Sequence, residues 1–160
     1  MSRHCGPALP AELLARLSQS DLASLLGRGL TLVTVDPAGR PHPMLVSYLE
    51  LLALDATLVR VVIGPESQSA RNLRERAAAT LLIVEPESVH YVKCRSLGAP
   101  VIAGTLARFE LRVEEVLEDS PTADEGSLRI TSGIAYAPAP ALDDPRVQGI
   151  LQALRVQVAG

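Results

Sequence analysis

Residues 67–73 carry side chains that could together bind an anion. Ser67, Gln68 and Ser69 bring hydroxyl and amide groups, and Arg71 adds a guanidinium. Ser67 is a typical helix N-cap residue, and the first backbone N–H groups of a helix have no partner within that helix. Hydroxyl donors, free N–H groups and one arginine together suit a phosphate group. On local grounds alone the segment is more simply a plain helix cap, and a phosphate site is its functional alternative.

The other reactive residue types do not form a catalytic or metal-binding motif. His4, His42 and His90 have no nucleophile motif to pair with, which argues against a Ser-His-Asp hydrolase. His4 adjoins Cys5, but two neighbouring residues do not make a four-ligand metal site. We therefore assign no catalytic residue and no metal ligand from the sequence.

Composition restricts the class of protein. A chain of 160 residues that is 48% apolar is long enough to bury one core, so we expect a single domain over residues 1–160. A net charge of −3 provides no basic surface for nucleic acid or an anionic membrane. With one Phe, three Tyr and no Trp, an aromatic stacking platform is also disfavoured. Nucleic acid and membranes are therefore not expected as partners.

Targeting and redox signals are equally sparse. Cys5 and Cys94 lie far apart and suggest neither a disulfide framework nor a CxxC motif. The first residues contain no apolar run typical of a signal peptide. No stretch reaches the roughly 18 continuous apolar residues of a membrane span. These observations predict a soluble protein of the cytoplasm.

Apolar periodicity predicts a helical segment followed by a long hairpin. Leu13, Leu14 and Leu17 have helical spacing, and residues 1–29 are expected to be largely helical. Residues 30–35 and 42–54 favour two strands, joined by turn residues at 36–39. We expect this hairpin to open a barrel that extends to residue 136.

The remaining elements are mostly strands. We predict strands at residues 57–63, 80–84, 89–94, about 101–114 and 127–136, and the strand at 80–84 is expected to be buried on both faces. A helix should follow Ser67, and residues 114–125 should form an acidic loop. An Ala-Pro linker and a C-terminal helix fill residues 137–160, and Asp144-Pro145 opens that helix. Its predicted apolar stripe consists of Val147, Ile150, Leu151 and Leu154. About six antiparallel strands with few helices indicate a mainly β, closed or half-open barrel.

Four segments carry a family likeness through their residues and their order. They are the hairpin at residues 31–43, the strand at 60–63, the helix start at 67–73 and the strand at 78–84. Together they resemble the pyridoxamine 5′-phosphate oxidase-like FMN-binding split barrels. The resemblance covers residues 30–117. It implies a six-stranded antiparallel Greek-key split barrel that forms a homodimer. It also implies that FMN lies at the subunit interface and that the turn and helix after the third strand receive its phosphate.

The resemblance also implies which residues contact the cofactor. The phosphate-binding segment of the family matches Ser67, Gln68, Ser69 and Arg71. The strand end that lines the flavin ring matches Val62 and Ile63. Further contacts with the phosphate and the ring, made from the second strand, match His42 and Ser47. Two positions depart from the family pattern. Ser69 stands where the family commonly has a lysine, and Gln68 stands where the oxidases themselves have an arginine.

Three functional hypotheses follow from this resemblance. The first is an FMN-dependent oxidoreductase that acts on a small-molecule redox substrate. It is not a genuine pyridoxamine 5′-phosphate oxidase, because the C-terminal region lacks the basic pattern of those enzymes. The second, motivated by Ser69 and Gln68, is a flavin-free split-barrel dimer with a structural or small-ligand-binding role. The third is a branch that binds haem or a deazaflavin.

An apolar stretch at residues 44–54 gives a separate argument for a dimer. Leu49, Leu51 and Leu52 are crowded together on the predicted second strand. A small barrel cannot easily bury both faces of such a strand, so we expect a second copy to cover one face. The alternative is that the C-terminal helix covers it within the chain.

Overall fold

Ten strands form one antiparallel sheet that curls into a split barrel. The structure is a computed structural model, and it describes residues 2–157. The strands are β1 (Arg3–Gly6), β2 (Arg28–Val35), β3 (Pro41–Ser47), β4 (Leu51–Asp55), β5 (Leu58–Ile63), β6 (Ala78–Glu85), β7 (Ser88–Ser96), β8 (Val101–Ala103), β9 (Leu106–Asp119) and β10 (Ile134–Ala135). The sheet order is β10-β2-β6-β7-β9-β5-β4, with β3 also paired to β2, and β1 and β8 also paired to β9.

Three α-helices and three 3₁₀ turns flank the sheet. The helices are α1 (Ala11–Leu17), α2 (Gln68–Arg76) and α3 (Pro145–Arg155), and the 3₁₀ turns are Leu22–Leu25, Tyr48–Glu50 and Ala123–Glu125. Within residues 2–157, no helix has the length and apolar character needed to cross a membrane. The mainly β prediction is confirmed, although the observed strand number exceeds six because several short strands join the sheet.

The core lies on the inner face of the curled sheet. The inward residues of β5, Val59, Val61 and Ile63, are almost completely buried, as their alternation predicted. Strand β6 also alternates, with Leu81 and Ile83 buried and the residues between them only half-buried. The prediction that this strand is buried on both faces was therefore wrong. The outward-facing residues of β6 are also apolar, so the sequence shows a continuous apolar run although only the inner face is enclosed.

The predicted second strand is interrupted after Ser47. Ser47 and Glu50 form a capping box, in which the backbone N–H and the hydroxyl of Ser47 both donate to the Glu50 carboxylate. The chain therefore turns a corner, so that β3 pairs with β2 while β4 pairs with β5. The predicted turn before this strand is confirmed, because the Gly39 N–H donates to the Asp36 carbonyl at 2.9 Å.

The first half of the predicted acidic loop, residues 114–119, is a strand, and only residues 120–125 lie outside the sheet. Strand β9 continues to Asp119 and pairs with both β7 and β1. Cross-strand cations neutralise its carboxylates: Lys93 contacts Glu115 at 2.6 Å, and Arg95 contacts Glu114 at 2.7 Å. The predicted start near residue 101 was also wrong, because a turn at Gly104, with φ of +60°, divides that region into β8 and β9.

The C-terminal part contains less β-strand than predicted, whereas its helix forms as predicted. The strand expected at residues 127–136 is reduced to β10, which pairs with Arg28 and Gly29. Asp144 caps α3 as predicted, accepting a hydrogen bond from the Arg146 N–H at 2.8 Å. Val147 and Leu154 of the predicted stripe are buried, whereas its other two residues are half-buried.

The apolar stretch that suggested a dimer is largely buried within the chain. Leu49, Leu51 and Leu52 are 3%, 0% and 8% exposed, and Leu52 packs against Ala153 and Leu154 of α3. The argument that these leucines need a second copy was therefore wrong, because the corner at Ser47 and helix α3 enclose them. The dimer itself stays a prediction that rests on the family resemblance.

Candidate functional site

The start of α2 has the local structure that its sequence predicted. The hydroxyl of Ser67 accepts a hydrogen bond from the Ala70 N–H at 3.1 Å, which confirms it as the N-cap. The N–H groups of Gln68 and Ser69 have no partner within the described residues. The first turn contains no acidic side chain. This helix end is therefore receptive to an anion.

Ser69 lies in this first turn, and its side chain is enclosed. The residue is 1% exposed, and its hydroxyl has no hydrogen-bond partner among residues 2–157. A buried polar group left without a partner costs about 1–3 kcal/mol. The Ser69 hydroxyl and the N–H groups of Gln68 and Ser69 are therefore three hydrogen-bond donors without an acceptor among the described residues.

A chain of polar contacts joins α2 to the first hairpin. Gln68 donates through Nε2 to Asn72 Oδ1 at 2.8 Å, and Asn72 donates through Nδ2 to the Thr34 hydroxyl at 2.9 Å. Thr34 in turn donates to the His42 carbonyl at 3.3 Å. His42 thus connects to the site through its backbone. Asn72 and Thr34 were missed as positioning residues.

Arg71 supplies the positive charge at the start of α2. It is exposed, and its guanidinium folds back to donate to the Glu66 carbonyl at 2.6 Å and to Gln68 Oε1 at 3.0 Å. Both acceptors are uncharged. The charge of Arg71 is therefore not neutralised by these contacts, and an incoming anion could replace either acceptor.

The other residues that the resemblance implicated lie elsewhere. Ile63 is part of the main core, and Val62, on the opposite face of β5, is fully buried beneath α3. Ser47 is occupied by its capping box and borders a cavity of about 330 Å³ that Tyr136 also lines. The structure therefore brings together Ser67, Gln68, Ser69 and Arg71, reaches His42 through the backbone, and separates Ser47 and Val62 from them.

A buried carboxylate at the end of β6 has a structural explanation. Glu85 accepts a hydrogen bond from the Tyr48 hydroxyl and forms ion pairs with Arg28 at 3.0 Å and Arg16 at 3.4 Å. Burial and the Glu85 carboxylate raise the pKa of Tyr48, which keeps the phenol protonated. Since every partner in this cluster is paired, the cluster joins α1, β2, β6 and the Tyr48 turn without an open position for a substrate.

No metal centre accompanies these residues. Among residues 2–157, no group of three or more His, Cys, Asp or Glu side chains could hold a metal ion. Cys94 is buried, and this burial raises the pKa of its thiol to about 12, so it is not a reactive thiolate at neutral pH. The start of α2 is therefore the candidate site with the strongest structural support.

Comparison with known proteins identifies the fold. No family model matches the sequence, and no curated protein matches it. A provisionally assigned pyridoxamine 5′-phosphate oxidase from Lactobacillus delbrueckii is similar in structure, with a TM-score of 0.57 and 14% identity over 72% of this chain and 98% of that one. An FMN-binding protein from Syntrophomonas wolfei gives a TM-score of 0.53 and 14% identity over 69% of this chain and 88% of that one.

A third solved structure, a variant of HupZ from group A Streptococcus, gives a TM-score of 0.50 at 14% identity, covering 64% of this chain and 99% of that one. Identities this low establish the shared architecture only. This chain therefore has the split-barrel fold of the pyridoxamine 5′-phosphate oxidase-like proteins, as the resemblance in its sequence had predicted.

Proposed function

We propose that the protein binds FMN and that the start of α2 receives the phosphate group. The observation that carries this proposal is the buried, unpartnered hydroxyl of Ser69 in a helix turn whose N–H groups are free. A phosphate oxygen could accept hydrogen bonds from the Ser69 hydroxyl and from the N–H groups of Gln68 and Ser69. The FMN-binding protein that shares this fold adds support.

The residues present fit a phosphate monoester in type, with one arginine as the charged partner. Arg71 would exchange the Glu66 carbonyl or the Gln68 amide for a phosphate oxygen, since charge-assisted hydrogen bonds are roughly twice as strong as neutral ones. Bound FMN would supply the electron transfer to a small-molecule redox substrate. The chain would orient the cofactor, and we assign no side chain as an acid or base. A second copy of the chain completes the proposed site at a dimer interface.

Helix α3 constrains where the flavin ring could lie. Val62 is fully buried beneath Ala153 and Leu154, so a ring could touch it only if α3 moved. We therefore expect the phosphate end to provide most of the binding free energy, and Val62 to contribute little.

Titration with FMN tests this proposal. We expect flavin fluorescence to be quenched and its absorbance to shift on binding. Arg71→Ala should weaken binding about tenfold because it removes a charge-assisted contact. Arg76→Ala is the matched control, because Arg76 is exposed on the last turn of the same helix and donates to the Pro37 carbonyl. A colourless protein that changes neither signal would refute the proposal.

The alternative is a flavin-free split barrel with a structural or small-ligand-binding role. The observation that favours it is the cover of α3 over Val62, together with the lack of a lysine at Ser69. A crystal grown with excess FMN in which the start of α2 contains no phosphate would support this alternative. The absorbance spectrum of the purified protein would show whether haem or a deazaflavin is bound instead.

A further inference from the structure

Arg108, on strand β9, is a buried cation with too few partners. Its side chain is 1% exposed, and one guanidinium nitrogen, Nη1, donates to the Val156 carbonyl. Its Nε has no hydrogen-bond partner among residues 2–157. Burial, together with the neighbouring positive charge of Arg60, lowers the pKa of the guanidinium. Buried arginines are normally paired and fully hydrogen-bonded, so the acceptors around Arg108 are incomplete.

The nearest carboxylate is already shared with a second arginine. Arg60 donates to Glu110 Oε1 through Nε at 3.1 Å and through Nη2 at 2.9 Å, whereas Arg108 reaches the same oxygen only at 3.9 Å. Among residues 2–157, these two guanidinium groups share one carboxylate, which leaves one positive charge without a carboxylate of its own. That excess matches a monoanion.

Both arginines contact the C-terminal end of α3. Arg60 donates through Nη1 to the Leu154 carbonyl at 3.0 Å, and Arg108 donates to the Val156 carbonyl. Val156 is the C-cap residue of α3 and has left helical geometry, with φ of −53° and ψ of 125°. Its carbonyl is therefore outside the hydrogen-bond ladder of the helix and can be exchanged for another acceptor without breaking a helical turn.

Val156 also borders a cavity of about 580 Å³ between α3 and the turn that joins β8 to β9. The cavity is of a size that holds a small organic ligand. Its apolar wall is formed by Ala103, Leu106, Ile150, Ala153 and Val156. Ala103, Leu106 and Ile150 pack against the buried cluster yet stay half-exposed, so an apolar ligand would cover surface that water now contacts.

We propose that this cavity binds a small organic acid, with its apolar chain against this wall and its single carboxylate on Arg108 in place of the Val156 carbonyl. A carboxylate suits the planar fork of a guanidinium, and one negative charge balances the excess that Glu110 leaves. A phosphate group, which carries more negative charge at neutral pH, matches this balance less well. The site is separate from the start of α2 and does not depend on FMN.

Calorimetric titration with sodium octanoate tests this proposal on the full chain without FMN. We expect octanoate to bind, and hexanoate to bind about tenfold more weakly because it buries two fewer methylene groups. Octanamide, which keeps the chain and loses the charge, should bind at least tenfold more weakly than octanoate. Equal affinities for octanoate and octanamide would overturn the proposal.

Two variants separate the charge from the cavity. Arg108→Gln should reduce octanoate affinity about tenfold, and Arg112→Gln, an exposed arginine on the same strand, should leave it unchanged. Gly149→Leu acts without touching either arginine: a Cβ at Gly149 meets no atom within 4 Å, so a leucine there extends into the cavity. This variant should fold and lose octanoate binding. Undiminished binding in Gly149→Leu would show that octanoate binds elsewhere and would refute the proposed site.

Discussion

The start of α2 and the end of α3 place their arginines in opposite ways. At the start of α2, Arg71 is exposed and contacts only neutral acceptors, while the buried polar group is the small hydroxyl of Ser69. At the end of α3, the arginines come from the sheet and are themselves enclosed, with side-chain exposures of 15% for Arg60 and 1% for Arg108. The first site exposes its charge to solvent, and the second keeps it under a helix.

The difference shows how burial changes the role of an arginine. An exposed guanidinium near a helix N-terminus costs little to maintain and can exchange its acceptor, which suits a ligand that comes and goes. A buried guanidinium is costly without acceptors, so the carbonyls of Leu154 and Val156 become part of the stability of the fold. We therefore expect changes at α3 to affect folding strongly, and changes at α2 to affect mainly binding.

The largest effect should come from loosening α3. Leu154 is completely buried against Leu52 and Val62, so Leu154→Ala should reduce the free energy of unfolding by about 3 kcal/mol. Urea denaturation measures this loss. Leu151→Ala, on the same helix but half-buried, is the matched control and should cost about half as much. A loss below about 1 kcal/mol for Leu154→Ala would mean that α3 is not an integral part of the fold.

A smaller effect should follow from removing one arginine beneath α3. Arg60→Met leaves the Leu154 carbonyl and Glu110 without their closest donor, and it should reduce the free energy of unfolding by about 2 kcal/mol. Arg112→Gln, an exposed change on β9, should alter it by less than about 0.5 kcal/mol. If the two variants unfold at the same urea concentration, the buried arginines do not anchor α3.

The smallest effects distinguish the two serines at the start of α2. Ser67→Ala removes the N-cap and should cost about 1 kcal/mol, measured by thermal or urea unfolding. Ser69→Ala removes a buried hydroxyl that has no partner, and it should leave the free protein equally or slightly more stable while weakening FMN binding. Destabilisation by Ser69→Ala as large as that by Ser67→Ala would show that the Ser69 hydroxyl is satisfied without a ligand.

Features that depend on near neighbours in the chain could be predicted from the sequence. The turn at residues 36–39, the caps at Ser67 and Asp144, and the alternation of β5 all depend on contacts within a few residues. The series of local elements indicated a closed or half-open barrel. The more specific split-barrel fold was predicted through the family resemblance that residues 30–117 carry.

Other features depended on partners far away in the sequence. The acidic residues at 114–119 look like a solvated loop until β7 and β1 bring Lys93, Arg95 and Arg3 beside them. Charged and apolar residues alternate along β9, a pattern typical of a strand with one solvent face, yet the end of α3 covers Arg108 on the charged face. Charge and polarity in a sequence do not show whether a side chain faces water or a packed helix.

The sequence by itself determined the turn at residues 36–39, the caps of α2 and α3 and the mainly β character of the chain, because turns, caps and alternation are short-range properties. Only the tertiary structure decided that Ser69 is enclosed, that Val62 lies under α3, and that Arg60 and Arg108 share Glu110. Burial and pairing are properties of contacts between distant segments. In this chain they decide which arginine side chains are exposed and which are enclosed.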